Sequence, residues 1–441
     1  MELSVLSAAR EVPQRPALIH NGNVLTYRDL ANQVQAHADL DDSHQPLPLV
    51  GDNALETLVK VYKLLEIRRP IAMLHPKWTT DERERMIHLV EQGNIQQHQN
   101  DEQALAIVPT SGSSSKPRGI ILSRRAFLAS ARASAANLDW HAGDRWLLSL
   151  PIAHVGGLSI LTRCLAGRRT VVVEENDSFV ANDVLHVLRE RRVTLLSVVP
   201  TMLKRLLTHP APPSLRAVLV GGAAASSSLL EEALDNAWPV LATYGMTETC
   251  SQIATWRPGT RVPTAGLVPL DGIEIRLCDN MIEGIIETRG PQLLSSILPE
   301  PATPVLDQDG WFRTPDLGRL DENGFLHIDG RRDRVIISGG ENVQAEEVEA
   351  VLEAHPHVQN AVVFGVADDE WGEAVAAALT VHRNFDESRL LSQLSERLAS
   401  FKRPRRLAII DKFVHLPSGK IDRRATAAAA TDFLKPFGKA P

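Results

Sequence analysis

Residues 107–119 (IVPTSGSSSKPRG) place an apolar run directly before a loop of hydroxyl side chains, small residues and two cations. Backbone N–H groups, hydroxyls and a lysine gathered in one concave loop are suited to binding a chain of phosphates. The loop is not a Walker A sequence, because Ser115 precedes Lys116 and Pro117 follows it, where that motif has a glycine and a Ser or Thr. A surface linker rich in Ser, Gly and Pro is the alternative that this composition leaves open.

Three further segments carry side chains of a kind that nucleotide sites use. The run TYGMTE at residues 243–248 sets an aromatic ring, which can stack on a base, close to a carboxylate, which can hold phosphate-bound Mg2+. Asp316 lies in a turn-rich segment and can bind ribose hydroxyls. Lys420 lies on a glycine-containing loop, LPSGKIDRR. Each also has a structural alternative, since an aromatic ring packs, a carboxylate is solvated or holds a turn, and a lysine lies on a free tail.

The elements that position these segments alternate between apolar runs and helical periodicity, which is typical of βα units. Residues 125–138 predict an Ala-rich helix, residues 146–150 predict a strand that Pro151 ends, and a further helix is predicted to start after Gly156 and Gly157. The runs VTLLSVVP, LRAVLVGG and PVLATYG each end in Pro or Gly. Such continuous apolar runs fit parallel strands buried on both faces, with functional loops at the strand ends.

The predicted pattern of secondary structure changes twice beyond these runs. Residues 266–330 have short strands with frequent turns, which indicates a β-rich subdomain, either a small barrel or an antiparallel sheet. A new alternation of helices and strands begins at Arg331. We therefore predict an α/β fold with a large domain of βα-layered parallel sheets at residues 1–330 and a small, mobile α+β domain at residues 331–441.

Composition excludes several function classes. A chain of 441 residues exceeds one ordinary core, and its net charge of -7 argues against a nucleic-acid partner. No apolar run approaches the roughly 20 residues of a membrane span, and the N-terminal segment does not resemble a signal peptide, so we expect a cytoplasmic protein. The three cysteines lack a metal-binding spacing and are expected to be reduced, and a homo-oligomer is compatible with these features.

Taken in order, seven segments resemble the motif series of the adenylate-forming family, which contains acyl-CoA synthetases, nonribosomal-peptide adenylation domains and luciferases. The segments are PTSGSSSKPRG, GGAAAS, TYGMTE, GWFRTPDLG, GRRDRVIISGGENV, FKRPR and LPSGKIDRR. The resemblance runs from about residue 25 to about residue 425, and each motif alone is weak. The segments LLSLPIAHVGGLSILTRCL, LLSVVPTML and YGMTETCSQ look most like the branch of the family that activates o-succinylbenzoate.

The resemblance implies a two-step ligase that uses ATP, Mg2+ and coenzyme A. A carboxylate of a small acid attacks the α-phosphate of ATP and pyrophosphate leaves, after which the CoA thiol attacks the acyl-adenylate and AMP leaves. Because the attacking oxygen is already anionic, the first step needs positioning and charge stabilisation rather than a general base.

The resemblance also implies roles at the positions that match the motifs. Phosphate contacts fall on Thr110, Ser111, Gly112, Ser113, Ser114 and Lys116. Adenine, ribose and α-phosphate contacts fall on Gly221, Gly222, Ala223, Tyr244, Asp316, Arg331 and Thr247. Glu248 is the implied Mg2+ ligand, Lys420 the catalytic lysine of adenylate formation and Asp333 the hinge of the small domain.

The acid needs its own recognition site. In o-succinylbenzoate a second carboxylate is not activated, and burying it unpaired would be costly. Arg163 matches the position of the branch's carboxylate-recognising arginine, with Ser197 and Thr247 as partners through water. A surface arginine whose stem lies along apolar residues is the alternative. His154 matches the family's gating position, and a packed core histidine is its alternative.

Three residues depart from the family pattern, namely Ser115 and Pro315 in place of glycines and Arg334 in place of an aspartate. Three other functions stay open, and Ser115 and Pro315 suggest the last of them. These are a ligase for another aryl or alkyl acid, an adenylation enzyme that loads a carrier protein, and a nucleotide-binding relative with impaired catalysis.

Overall fold

The computed structural model describes residues 1–37, 40–41, 43–93, 95, 102–110, 118–174, 179–278, 283–301, 303–338, 341–368, 371–416 and 419–438. The chain falls into two compact units. Unit 1 contains Met1–Ala225, Leu229–Ile275 and Thr288–Phe312, and unit 2 contains Ser226–Ser228, Arg276–Glu287 and Arg313–Pro441. Within the ranges given above, no helix combines the length and the apolar character that crossing a membrane requires.

The helices of the described residues are α1 (Val5–Glu11), α2 (Tyr27–Ala36), α3 (Leu55–Glu66), α4 (Thr80–Gln92), α5 (Arg124–Leu138), α6 (Val155–Gly167), α7 (Ala181–Glu190), α8 (Pro200–Leu206), α9 (Ser227–Asp235), α10 (Ala345–Glu353), α11 (Glu387–Arg397) and α12 (Arg423–Thr431). Side-chain caps explain where two of these helices, α2 and α5, begin. Threonine favours the N-cap position, so the sequence predicts a cap at Thr26, and Thr26 with Asp29 forms a capping box at α2. The Ser123 side chain accepts from the N–H of Ala126 at α5.

The strands up to residue 255 are β1 (Pro16–His20), β2 (Asn23–Thr26), β3 (Leu47–Val50), β4 (Ile71–Leu74), β5 (Ala104–Thr110), β6 (Arg118–Ser123), β7 (Arg145–Leu147), β8 (Thr170–Val173), β9 (Leu195–Val198), β10 (Ala217–Val220), β11 (Val240–Met246) and β12 (Ser251–Thr255). The later strands are β13 (Val268–Pro269), β14 (Glu274–Leu277), β15 (Glu283–Arg289), β16 (Ser296–Leu298), β17 (Phe312–Leu320), β18 (Leu326–Arg331), β19 (Val335–Ser338), β20 (Glu341–Gln344), β21 (Val358–Asp368), β22 (Gly372–Val381), β23 (Arg406–Ile409) and β24 (Lys435–Pro436).

Unit 1 is built on a nine-stranded sheet in the order β13-β12-β11-β10-β9-β7-β8-β1-β2. Its strands from β11 to β1 are parallel, and β2, β12 and β13 add antiparallel pairs at the two edges. The three predicted apolar runs form β9, β10 and β11, and all four residues of β10 are buried. The parallel arrangement is therefore confirmed, because strands covered on both faces need apolar side chains in succession.

A second sheet of unit 1 has the order β16-β6-β5-β4-β3. Strands β3, β4 and β5 are parallel, and β5 and β6 form an antiparallel pair in which Thr110 lies opposite Arg118. The predicted phosphate loop thus connects the two strands of a hairpin. Residues 111–117 of this loop lie outside the described residues.

The helix after Pro151 differs from its prediction. Helix α6 begins at Val155 and includes Gly156 and Gly157, and the preceding strand β7 ends at Leu147 rather than at residue 150. A Cβ atom at Gly157 would overlap the carbonyl oxygen of Pro151. The glycine therefore lets the first turn of α6 approach the preceding loop. The sequence pattern had predicted that the helix begins only after Gly157.

The four-stranded sheet β14-β15-β17-β18, in which β17 and β18 are antiparallel, has most of its residues in unit 2. Unit 2 also contains a sheet in the order β20-β19-β22-β23-β24, to which β21 adds by pairing with β22. Helices α10 and α11 contribute Val348, Leu352 and Leu390 to the apolar core beside the second sheet. Part of the β-rich segment at residues 266–330 therefore belongs to unit 2. The predicted boundary near residue 330 is that of a domain that moves as a body, and it stays a prediction.

Candidate active site

The carboxyl ends of β10 and β11 hold the residues predicted to contact adenine. Gly221, Gly222 and Ala223 follow directly after β10, and β10 pairs in parallel with β11, which contains Tyr244. Between them lies Thr243, whose hydroxyl donates to the carbonyl oxygen of Val220 at 3.3 Å. Parallel pairing brings these two strand ends to one edge of the sheet, as the sequence analysis expected of functional loops.

Tyr244 is half-buried and packs against an apolar cluster that contains Ala133, Ile253, Leu270 and Ile273. The structural alternative, an aromatic ring that packs in the core, therefore holds for part of the Tyr244 side chain. A ring held on one side by apolar neighbours is also restricted in orientation, which suits a stacking surface.

A tight turn after β11 carries Thr247 and Glu248 on a 3-10 helix, Thr247–Thr249. The buried hydroxyl of Thr249 accepts from the N–H of Met246 at 3.0 Å and lies 2.9 Å from the carbonyl oxygen of Ser251, to which it donates. Cys250 and Ser251 have positive φ angles of 48° and 89°, a backbone region that side chains other than glycine rarely adopt. The surrounding hydrogen bonds hold this strained turn, and strain of this kind is concentrated at functional sites.

Glu248 is the residue that the motif series assigns to Mg2+. No group of three or more potential protein ligands exists among the described residues. A single carboxylate fits Mg2+ that is bound mainly by nucleotide phosphates and water.

Arg163 lies on α6 and is only 2% exposed, so the alternative of a surface arginine is wrong. Its Nη1 donates to Gln252 Oε1 at 2.8 Å, and its Nη2 donates to Ser130 Oγ at 2.9 Å. Its Nε is buried and has no hydrogen-bond partner among the described residues. Burial lowers the pKa of Arg163 to about 10. The guanidinium is thus an enclosed cation held by two neutral oxygens.

The predicted partner Ser197 is connected to Arg163 through an aromatic ring. Trp146 Nε1 donates to Ser197 Oγ at 3.1 Å, and the Arg163 Cζ atom lies 5.8 Å from the centroid of the Trp146 ring. The direct partners Ser130 and Gln252 were missed by the sequence analysis. Ser130 lies in an Ala-rich helix without a motif, and Gln252 is the last residue of the segment YGMTETCSQ, in which no role was assigned to it.

His154 occupies the N-cap position of α6 and is half-buried. Its ring centroid lies 5.1 Å from that of the buried His75. Burial is the main cause that lowers the pKa of His75, and the charge of Lys77 adds to it. The gating role of His154 stays a prediction.

In unit 2, Asp316 and Arg331 are direct partners in the pairing of β17 and β18. Arg331 Nε lies 3.9 Å from Asp316 Oδ1, and Asp316 is buried. The structure therefore brings together the two residues that the motif series assigns to ribose.

Lys420 is exposed as a whole residue, and the carbonyl oxygen of Lys420 accepts from the N–H of Leu416 at 2.8 Å. The pKa of Lys420 is lowered, first because protein atoms displace water around the amine and then because Arg334 and Arg331 place positive charge nearby. Arg334 Nη1 also donates to Glu346 Oε1 at 2.8 Å. The predicted hinge residue Asp333 lies on a 3-10 helix, Arg332–Arg334.

Comparisons with known proteins identify the family of this chain. A family model described as AMP-binding enzyme matches residues 49–298, and a model described as AMP-binding enzyme C-terminal domain matches residues 347–420. The chain therefore belongs to the AMP-binding enzyme family, and the family resemblance and the α/β fold class are confirmed.

Individual relatives cover nearly the whole chain. The 2-succinylbenzoate–CoA ligase of Bacillus pumilus is 33% identical over 468 aligned residues, which cover 95% of this chain and 96% of that protein. The o-succinylbenzoate CoA synthetase of Bacillus subtilis in complex with its acyl-adenylate intermediate has a TM-score of 0.86 and 30% identity, and the match covers 100% of this chain and 99% of that chain. The same synthetase in complex with ATP and magnesium has a TM-score of 0.84 and 31% identity, with coverage of 96% and 98%.

Proposed function

We propose that this chain is an ATP-dependent acid:CoA ligase that converts 2-succinylbenzoate to its CoA thioester through an acyl-adenylate. In the first step a carboxylate oxygen of the acid bonds to the α-phosphorus of ATP, and the bond to pyrophosphate breaks. In the second step the CoA sulfur bonds to the acyl carbon, and AMP leaves with the electron pair of the broken carbon–oxygen bond.

The observation that carries the choice of acid is the charge balance around Arg163. Within the described residues, its hydrogen bonds go to an amide oxygen and a hydroxyl, neither of which bears a charge. A buried cation without an anionic partner is costly, and removing one charge of a buried pair typically costs about 3–5 kcal/mol. An acid with a second, unreacting carboxylate supplies the missing negative charge, and a monocarboxylic acid does not.

The remaining roles follow from the two sets of residues described above. Tyr244 and the residues 221–223 bind adenine, and Asp316 with Arg331 binds ribose. Glu248 holds Mg2+, which neutralises phosphate charge when bound. Thr247 contacts the α-phosphate, and Lys420 stabilises charge that develops on the oxygens of the carboxylate and α-phosphate.

A screen of acids with the purified full chain tests this proposal. The chain is supplied with ATP, Mg2+ and CoA, and pyrophosphate and CoA thioesters are measured for 2-succinylbenzoate, benzoate, hexanoate, 4-oxo-4-phenylbutanoate and 2-propanoylbenzoate. The last two acids each keep one of the two carboxylates of 2-succinylbenzoate. We expect thioester formation with 2-succinylbenzoate at a kcat/KM at least about tenfold above the other acids, because one charge-assisted hydrogen bond contributes about 1.5–3 kcal/mol.

Each other outcome identifies a different function. Turnover of benzoate or hexanoate without turnover of 2-succinylbenzoate contradicts the choice of acid. Acid-dependent pyrophosphate release without a CoA thioester contradicts CoA as the acceptor and favours a carrier protein. ATP binding without any acid-dependent pyrophosphate release indicates a relative that has lost catalysis.

A further inference from the structure

The hydrogen-bond acceptors around Arg163 are neutral and fixed in place, although they come from distant parts of the chain. Ser130 lies on α5 and Gln252 on β12, 33 and 89 residues from Arg163 along the sequence. Both side chains are buried, with exposed fractions of 2% and 7%. Such positions in a core are usually apolar, so two polar side chains that meet one guanidinium require a physical reason.

The geometry commits Ser130 to accept from the guanidinium. Its hydroxyl donates to the carbonyl oxygen of Cys250 at 3.0 Å, so its proton points away from Arg163 and its lone pair faces Nη2. The backbone of Gln252 is held by the pairing of β12 with β11, in which Gln252 lies opposite Gly245. The acceptors therefore define where the guanidinium lies before any ligand is present.

The neutrality of the two acceptors has an electrostatic consequence. An aspartate or glutamate at either position would form an internal ion pair and cancel the charge of Arg163. An amide oxygen and a hydroxyl orient the guanidinium and leave its charge uncompensated. The buried Nε is a further donor, for which the described part of the chain supplies no hydrogen-bond acceptor.

We infer that Gln252 and Ser130 are positioning residues that orient Arg163 without neutralising it, and that they thereby set the selectivity for an acid with a second carboxylate. The inference deepens the proposed function and depends on it. It assigns roles to two residues to which the motif series gives none, and it requires that both act through Arg163.

The test is a double-mutant cycle of Gln252→Glu and Arg163→Met. The KM for 2-succinylbenzoate, the KM for ATP, kcat and the melting temperature are measured for the wild type, both single variants and the double variant. We expect Gln252→Glu to raise the KM for the acid by about 10- to 100-fold, because the new carboxylate occupies the cation, while the KM for ATP changes less than about twofold. In the Arg163→Met background the same substitution should raise the KM for the acid less than about twofold, since no cation is left to neutralise.

Gln103→Glu is the matched control, since Gln103 lies just before β5 and its Nε2 donates to the carbonyl oxygen of Arg68 in an exposed bond. It should leave all four quantities near their wild-type values. Equal effects of Gln252→Glu in both backgrounds would overturn the inference, and so would an unchanged KM for the acid in the single variant.

Ser130→Ala covers the case in which Gln252→Glu does not fold. It removes one acceptor with little change in volume, and we expect a rise of about three- to tenfold in the KM for the acid that disappears in the Arg163→Met background. A rise that persists there contradicts the inference. Failure of the proposed function is distinguishable, because in that case the wild type itself forms no thioester from 2-succinylbenzoate.

Discussion

Arg163 and Lys420 are cations whose surroundings disfavour the charged form, for different physical reasons. Arg163 is enclosed, and loss of water alone lowers its pKa to about 10. Lys420 is exposed as a residue, but crowding of its amine and the charges of Arg334 and Arg331 lower its pKa. A negative group that arrives beside either residue is therefore bound more strongly than it would be by a solvated side chain.

Lys420→Ala separates the two half-reactions. We expect acyl-adenylate formation to fall by about 10²- to 10³-fold, because the lysine's charge is needed where charge develops on the attacked phosphate. Thioester formation from a preformed acyl-adenylate should change little. The measurements are acid-dependent ATP–pyrophosphate exchange and CoA thioester formation from the synthetic adenylate.

Lys412→Ala is the control, since Lys412 is an exposed lysine eight residues earlier in the chain. It should preserve both half-reactions. A Lys420→Ala variant that loses both half-reactions equally would contradict the assigned role.

At the scale of elements, the turn between β11 and β12 connects the residues proposed to bind ATP with the residues around Arg163. The turn carries Thr247 and Glu248, and Gln252 follows it as the second residue of β12. Strand β12 approaches β11 so closely that a Cβ atom at Gly245 would overlap the carbonyl oxygen of Ser251 and lie 2.8 Å from the Cα atom of Gln252. One short segment therefore orients both the residues proposed for ATP and the residue that holds Arg163.

Gly245→Ala should damage this turn. The added methyl group must displace the Ser251–Gln252 backbone, so we expect a loss of about 2 kcal/mol or more of stability and a fall of at least about tenfold in kcat/KM for the acid. Chemical denaturation and steady-state kinetics measure the two effects.

Gly143→Ala serves as its comparison, because a Cβ atom built there meets no heavy atom within 4 Å among the described residues beyond Gly143 and its two chain neighbours. Its stability should stay within about 0.5 kcal/mol of the wild type. If both glycine variants behave alike, the close approach of β12 to β11 does not constrain the turn.

At the scale of the molecule, Asp144 ties together loops at the amino ends of several strands of the nine-stranded sheet. Its carboxylate accepts from Arg216 Nε at 2.8 Å, from Thr194 Oγ1 at 2.8 Å and from the N–H of His141 at 2.7 Å. Burial by itself raises the pKa of Asp144, but these hydrogen bonds and the charge of Arg216 outweigh it, so the pKa lies below its ordinary value.

Asp144→Asn should lower global stability in a pH-dependent way. A carboxyl group with a depressed pKa in the folded state stabilises the fold above its unfolded pKa of about 3.9, and this contribution is lost as pH falls through the folded pKa. We expect the variant to lose about 2–4 kcal/mol at neutral pH and the difference from the wild type to close below about pH 4. Thermal and chemical denaturation between pH 3 and pH 8 measure it.

The exposed Asp235, at the end of α9, provides the control substitution Asp235→Asn. It should change stability by less than about 0.5 kcal/mol at every pH. A gap between Asp144→Asn and the wild type that does not narrow in acid would show that the carboxylate's charge is not its source.

The sequence alone determined those features that depend on neighbours along the chain. Three apolar runs predicted β9, β10 and β11, Thr26 predicted the cap of α2, and the order of seven weak motifs predicted the family. These signals can be found in the sequence because strand burial, helix capping and loop chemistry each depend on a few neighbouring residues. Gly157 shows the limit, since its role is set by contact with Pro151 in the preceding loop rather than by its helix propensity.

Only the tertiary structure decided how Arg163 is used. From the sequence it could equally be a surface arginine, because a helix pattern does not show which neighbours cover a long side chain. The fold buries it and brings to it one hydroxyl from α5 and one amide oxygen from β12, far away along the chain. The charge state of a site is a property of everything packed around it, and for this reason the neutral partners Ser130 and Gln252 could be recognised only once the chain was folded.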